Sequence, residues 1–183
     1  MSEQFKRFSQ MTVWVTLIFF VIRCFLSWQE IIVEISLYDL YGYAGEAIAF
    51  SAVVMAIYEK WVWRIIPLGT PVLKKHYTGT LKSSYDGVER SATLDIRQTF
   101  LSIHVIMKSD ESKSKLVSAS LDDISGETQL TYCYLNEPRI EFRDRSDIHY
   151  GTALLCVNDP QNISGKYYTD RCTRGDMIFR ADG

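Results

Sequence analysis

Three short runs near the C-terminus of this 183-residue chain carry residue types suited to holding a flat, charged ligand. The run Gly165–Met177, "GKYYTDRCTRGDM", joins Tyr167, Tyr168, Thr169, Arg171, Thr173 and Arg174. The run "QLTYCYLNEP" carries Tyr132, Tyr134 and Asn136, and Arg139 follows Pro138 directly. The run "RSDIHYG" sets His149 ahead of Gly151. Aromatic rings stack on flat heterocycles, and arginine forks onto phosphate or carboxylate oxygens. As strands, these runs send alternate side chains to opposite faces. Tyr132, Tyr134 and Asn136 then share one face, and Tyr167, Thr169 and Arg171 another. A purely structural reading stands beside this one, because tyrosine and threonine are good strand formers and exposed arginine is ordinary.

Other chemistry has less support. No nucleophile elbow, metal-ligand cluster or phosphate-binding loop is present, and His76, His104 and His149 are scattered. The chain reads as a non-enzyme without a cofactor. Cys24, Cys133, Cys156 and Cys172 form no CxxC pair, which argues against structural zinc. A net charge of −2 gives no case for binding a nucleic-acid polymer.

The elements that must position these residues begin with two apolar runs. "MTVWVTLIFFVIRCFLSW" (11–28) and "YAGEAIAFSAVVMAIYEKWVWRIIPL" (43–68) have the length a bilayer crossing needs, about 20 residues of helix. Trp61 and Trp63 alternate with Lys60 and Arg64 at the end of the second, the mark of a membrane–water boundary. Lys6 and Arg7 precede the first run, Lys60, Arg64, Lys74 and Lys75 follow the core of the second, and the link between holds Glu30, Glu34 and Asp39 without lysine or arginine. The positive-inside rule places both chain ends in the cytoplasm of a two-pass membrane protein. There the cysteines stay reduced.

Arg23 and Glu46 fall at similar depth in such a hairpin, where they can pair or snorkel to the interface. Gly45, Ala49, Ala52 and Ala56 line one helix face, suited to close packing on the first span or on another copy.

Pro67, Gly69 and Pro71 mark a change of character. We read residues 1–75 as a membrane hairpin with linker and 76–183 as a β domain. Period-two alternation predicts strands near 76–83, 91–98, 101–108, 113–121, 128–135, 149–158, 165–173 and 176–180. The fold class is mainly β, with a closed antiparallel barrel of about eight strands as the expected domain and a sandwich as the alternative.

This order of parts, with "YTGTLK", "IRQTFLSIHV", "YLNEPR", "HYG" and "GKYYTDRCTRGDM" following two spans, resembles the two-transmembrane β-strand-rich effectors of bacterial CBASS anti-phage systems. Leu81 in "YTGTLK" departs from the tryptophan often found there, which weakens stacking at that position. The resemblance implies a barrel that receives a cyclic oligonucleotide, such as a cyclic dinucleotide. It further implies assembly of copies among the membrane lipids, disruption of the inner membrane and death of the infected cell. On that reading Arg171, Arg174 and Arg139 answer phosphate, and Tyr134 and Tyr168 wall the bases. Gln98, Asn136 and His149 read base edges or hold phosphate, with Thr173 in the same run as Arg171. Two rival readings are a tethered lipid- or small-ligand barrel, which needs an apolar lumen, and a filled-barrel adaptor without a ligand.

Overall fold

The computed structural model describes residues 3–29 and 36–182, so Glu30 and Glu34 of the acidic link lie outside the described residues. The chain divides into two compact units between Leu68 and Gly69.

The first unit is a helical hairpin. Helix α1 spans Glu3–Gln29 and α2 spans Leu37–Lys60, followed by a 3₁₀ turn at Val62–Arg64. Both helices are long and apolar enough to cross a membrane. Ser36 starts α2 through a capping box: its side chain accepts from Asp39 N–H, and the Asp39 carboxylate accepts from Ser36 N–H.

The helices meet along a seam where Thr16 Oγ1 donates to Ser51 Oγ at 2.7 Å and the rings of Phe19 and Phe50 lie 5.8 Å apart. The buried positions of α2 are Ala47, Ser51, Met55 and Tyr58. Gly45, Ala49, Ala52 and Ala56 are exposed, on a largely different side of the helix. The small-residue face is therefore not spent on packing within the hairpin. Arg23 Nε pairs with Glu46 Oε2 at 2.8 Å, and its guanidinium lies 4.5 Å from the Tyr43 ring centroid.

The second unit is a closed eight-stranded barrel with simple up-and-down order. Its strands are β1 His76–Ser83, β2 Glu89–Gln98, β3 Ile103–Ser109, β4 Ser112–Ile124, β5 Glu127–Pro138, β6 His149–Cys156, β7 Asn162–Thr169 and β8 Arg174–Ala181. Each pairs antiparallel with the next, and β8 returns to β1 with Tyr77 opposite Ala181 and Ser83 opposite Gly175. Closure rules out the sandwich: each strand of the ring has a partner on both sides, although β4 outruns β3 towards the linker end.

Alternation decides what points inward. Along β2, Ala92, Leu94, Ile96 and Gln98 are buried and Ser91, Thr93 and Arg97 are exposed. Leu94, Val105, Leu130, Tyr132, Leu155, Ile163, Met177 and Phe179 fill the interior. The linker closes one end: Leu73 is buried, its N–H donates to Gln98 Oε1 at 3.0 Å, and Gln98 Nε2 donates to the Pro71 carbonyl at 2.9 Å. Tyr77 hydroxyl donates to the Pro160 carbonyl at 2.9 Å at the same end.

The run from Gly165 to Met177 is not one continuous face. Strand β7 stops at Thr169 and β8 begins at Arg174, so Arg171 stands in the turn and not beside Tyr167 and Thr169 on a strand. The turn is fixed by its own polar groups. Thr169 N–H donates to the Thr173 carbonyl at 3.0 Å, their hydroxyls lie 2.6 Å apart, and Cys172 takes a left-handed φ of 58°. The four cysteines are free thiols.

Candidate ligand site at the barrel mouth

In an up-and-down barrel, the turns after β1, β3, β5 and β7 all gather at one end. That end lies opposite the linker. It opens into a cavity of about 130 Å³.

Two tyrosines form its walls. Tyr134 and Tyr167 point inward from β5 and β7 and are buried. Each leans over a glycine on the neighbouring strand. A Cβ on Gly151 would collide with the Tyr134 ring, and one on Gly175 with the Tyr167 ring. Burial pushes the Tyr134 hydroxyl well above its ordinary pKa, so it is a neutral group.

Asn136 lies deeper. Its side chain is 8% exposed, and its Oδ1 has no hydrogen-bond partner among the described residues. Buried polar atoms in native proteins nearly always have partners, so an orphan acceptor on a residue that lines a cavity points to a missing donor.

The rim is charged. Arg171 leaves the β7–β8 turn and donates to Ser146 Oγ at 2.8 Å and to the Arg145 carbonyl at 3.0 Å. Arg145 stacks over Phe142, 4.8 Å from its centroid, and reaches Glu111 Oε1 at 2.5 Å. The same carboxylate oxygen accepts from Arg90 Nε at 3.0 Å, while Arg90 also forks onto Asp86. Hydrogen bonding from Arg90 holds the Asp86 carboxyl down at about 2. His149 Nδ1 lies 2.8 Å from the Asp147 carbonyl, which can only accept, so that nitrogen donates.

Of the nine residues given ligand roles from the sequence, five line this cavity: Tyr134, Asn136, His149, Arg171 and Thr173. Four stand elsewhere. Gln98 is at the opposite end, engaged by the linker. Tyr168 points outward from β7 and is 46% exposed. Arg174 opens β8 on the outer surface, its N–H donating to Ser84 Oγ at 3.1 Å. Arg139 is exposed just past β5, with its N–H on the Glu111 carbonyl at 2.8 Å. Sequence reasoning passed over Arg90, Glu111, Phe142 and Arg145. A signal existed for Arg90, which shares the inward period-two face with Ala92, Leu94 and Ile96. For Arg145 the signal was only its place at the head of the run "RSDIHYG", and a short 3₁₀ turn at Ile140–Phe142 leads it to the rim.

The arrangement offers aromatic walls, an unsatisfied acceptor inside and guanidinium groups at the opening. It fits a ligand with flat rings and negative charge. Residues 68–181 match the family model described as Cap15, cyclic dinucleotide receptor domain. The chain is also similar to CD-NTase-associated protein 15 of Staphylococcus schleiferi, at 28% identity over 189 residues, covering 98% of each chain. With most of its length matched and the barrel inside the matched span, the chain belongs to the Cap15 cyclic dinucleotide receptor domain family.

Proposed function

We propose that the barrel is the sensor of a CBASS effector and that its mouth binds a cyclic dinucleotide. The observation that carries this reading is Asn136, a buried carboxamide with an orphan Oδ1 below an arginine-bearing rim. A cyclic dinucleotide has two flat bases and two phosphates. A base enters between Tyr134 and Tyr167 and offers an N–H to Asn136, while Arg171 and Arg145 meet phosphate at the rim. Thr173 and His149 supply further polar contacts from the wall. A lipid-binding barrel would need an apolar lumen, whereas apolar side chains here fill the linker end and the cavity mixes polar and charged side chains with Leu81, Met107 and Phe142.

The hairpin anchors this sensor in the bacterial inner membrane, with both chain ends cytoplasmic by the positive-inside rule. Ligand binding favours an assembly-competent state only through differential affinity for it. Confinement to the membrane raises local concentration, so modest contacts suffice for clustering. The open Gly45, Ala49, Ala52 and Ala56 face suits close contact between spans of neighbouring copies. Assembly then disrupts the membrane and kills the infected cell. The barrel closes on itself around its own core, so residues 69–183 form a unit suited to calorimetry. Saturable binding of one cyclic di- or trinucleotide, lost in Asn136→Ala and weakened in Arg171→Ala, is the expected result. A folded barrel that binds none of a full panel sinks the reading.

A further inference from the structure

Both ends of the barrel carry exposed charges that make no ion pair among the described residues, Lys82, Asp110 and Arg139 among those at the mouth. At the mouth, Asp86, Arg90, Glu111 and Arg145 pair with one another. On the outer wall, Asp95 takes His76 and Lys108, and Lys115 takes Glu137. At the linker end, two groups of charges are left over. Lys74, Lys75, Arg97 and Arg180 are exposed and make no ion pair among the described residues. Asp123 and Glu127 are exposed and Asp122 is half-buried, again with no cation beside them among the described residues.

Strand register places these groups on nearly opposite sides of the ring. The Lys75 carbonyl accepts from Ile96 N–H at 2.9 Å, so the lysines run alongside β2, where Arg97 stands opposite His104. Arg180 on β8 is level with Thr78 on β1. The basic wall thus covers β8, β1 and β2. The acidic wall is the β4–β5 hairpin, where Asp122 faces Gln129, Asp123 faces Thr128 and Ile124 faces Glu127.

The acidic wall also has an unfinished backbone. Strand β3 registers with β4 only at Lys108 and Lys113, and β4 breaks register between Leu116 and Ser118. Counting back from that pair sets Ile103 level with Ser118. Residues 119–124 therefore run past β3 and have β5 as their one strand partner. An open edge of this kind is a template for another chain.

We propose that the linker end carries a head-to-tail contact between copies of this chain, in which the Asp122–Glu127 hairpin of one barrel docks on the Lys74, Lys75, Arg97 and Arg180 wall of the next. This rests on the assembly reading above and names the surface that reading lacks. Copies tethered by the same hairpin in one membrane are held beside one another, so opposite walls of the same barrel end can meet. Such a heterologous contact extends to rings or rows. An anionic bilayer would suit the basic wall alone, but Asp122, Asp123, Glu127 and Asp159 at the same end oppose it.

The test uses the full chain carrying two different tags in one bacterial membrane, extracted in mild detergent. Co-purification is measured with cyclic di-AMP, cyclic di-GMP or cyclic GMP–AMP added, at low and high salt. One variant reverses the acidic wall (Asp122→Lys, Asp123→Lys, Glu127→Lys) and the other reverses the basic wall (Lys74→Glu, Lys75→Glu, Arg97→Glu, Arg180→Glu). Thermal melts confirm folding, and Asn and Gln replacements serve if a reversal unfolds the barrel. Each reversed chain should lose self-association by about tenfold or more, and mixing the two should restore it, since opposite walls then attract. Loss on reversing the basic wall only, without rescue, means lipid docking and overturns the proposal. Unchanged association in both variants places the contact elsewhere and overturns it while sparing the assembly reading. A wild-type chain that never self-associates with any nucleotide overturns both.

Discussion

Glu111 Oε1 stands 2.5 Å from Arg145 Nη2, and this pair ties the β3–β4 turn to the segment that follows β5. The same oxygen holds Arg90, so one carboxylate occupies two of the guanidinium groups at the mouth. A phosphate entering the site must compete with it. Glu111→Gln removes the competitor and one negative charge while keeping the shape. We expect the variant to bind cyclic dinucleotide tighter, by roughly threefold to tenfold, with a faster on-rate at low salt. Calorimetry and stopped-flow mixing against wild type check this. Weaker binding would show that Glu111 touches the ligand itself.

Asn136 separates binding from stability. Its Oδ1 is buried without a partner, which costs roughly 1–3 kcal/mol in the free protein. Asn136→Leu deletes that cost and keeps a similar volume. The free barrel should gain up to about 1 kcal/mol, seen as a higher melting temperature. Affinity for the cyclic nucleotide should fall by roughly tenfold to a hundredfold, because a base donor loses its acceptor. A stabilised barrel with unchanged affinity would make Asn136 a structural flaw and not a reader.

Much of the architecture can be read from local pattern, and the reasons differ by element. Strand positions follow from period two, which survives because each strand has one buried and one solvated face. The expected 149–158 run is β6 at His149–Cys156 on that basis. Helix content follows from uninterrupted apolar length. Site membership was less legible, because it depends on which barrel end a residue reaches. Gln98 and Asn136 both point inward, yet one closes the linker end and the other faces the mouth. Local sequence carries no label for that. Arg171 was found by type, but its place in a turn depends on the Thr169–Thr173 bond, which composition does not announce. Arg145 belongs to the site through a loop path, and loop paths leave no periodic trace.

Gly151 is a packing requirement written as a single residue. The Tyr134 ring occupies the space a Cβ would need. Gly151→Ala must push that ring inward or spread β5 from β6. Overpacking of this kind costs about 1–3 kcal/mol. The melting temperature should fall, and ligand affinity should fall with it, since Tyr134 would enter the cavity. A melt indistinguishable from wild type would contradict the close approach.

The Asp86 carboxyl gives a pH signature. Arg90 holds it at about 2, below the ordinary 3.8, so its contribution to folding is present above pH 3.8. Protonation removes that contribution as pH falls from 3.8 towards 2. Asp95, held low chiefly by Lys108 with help from His76, loses its contribution in the same direction. Acid melts of the barrel should therefore drop below about pH 4, and Asp86→Asn should flatten part of the drop while lowering stability at neutral pH. The exposed position of Asp86 keeps the effect small. An acid profile unchanged by the substitution would mean the pair forms equally well in the unfolded chain.

The Arg23–Glu46 pair lies within the two helices long and apolar enough to cross a membrane, and in a bilayer an unpartnered charge there is costly. Arg23 also donates to Ser27 Oγ at 2.7 Å, so its head is held by groups from both helices. Arg23→Leu leaves Glu46 without its cation in the apolar zone, and Glu46→Leu does the converse. Each single change should weaken the hairpin, by about 2–4 kcal/mol, and lower the amount of chain recovered from membranes. The double change removes both charges and should restore recovery to wild-type level or above, because apolar replacement of a buried pair is often neutral or better. Membrane yield and protease protection of the hairpin, measured across all four combinations, give the coupling directly. If the two single effects simply add in the double variant, the charges act independently, each reaching the interface by itself.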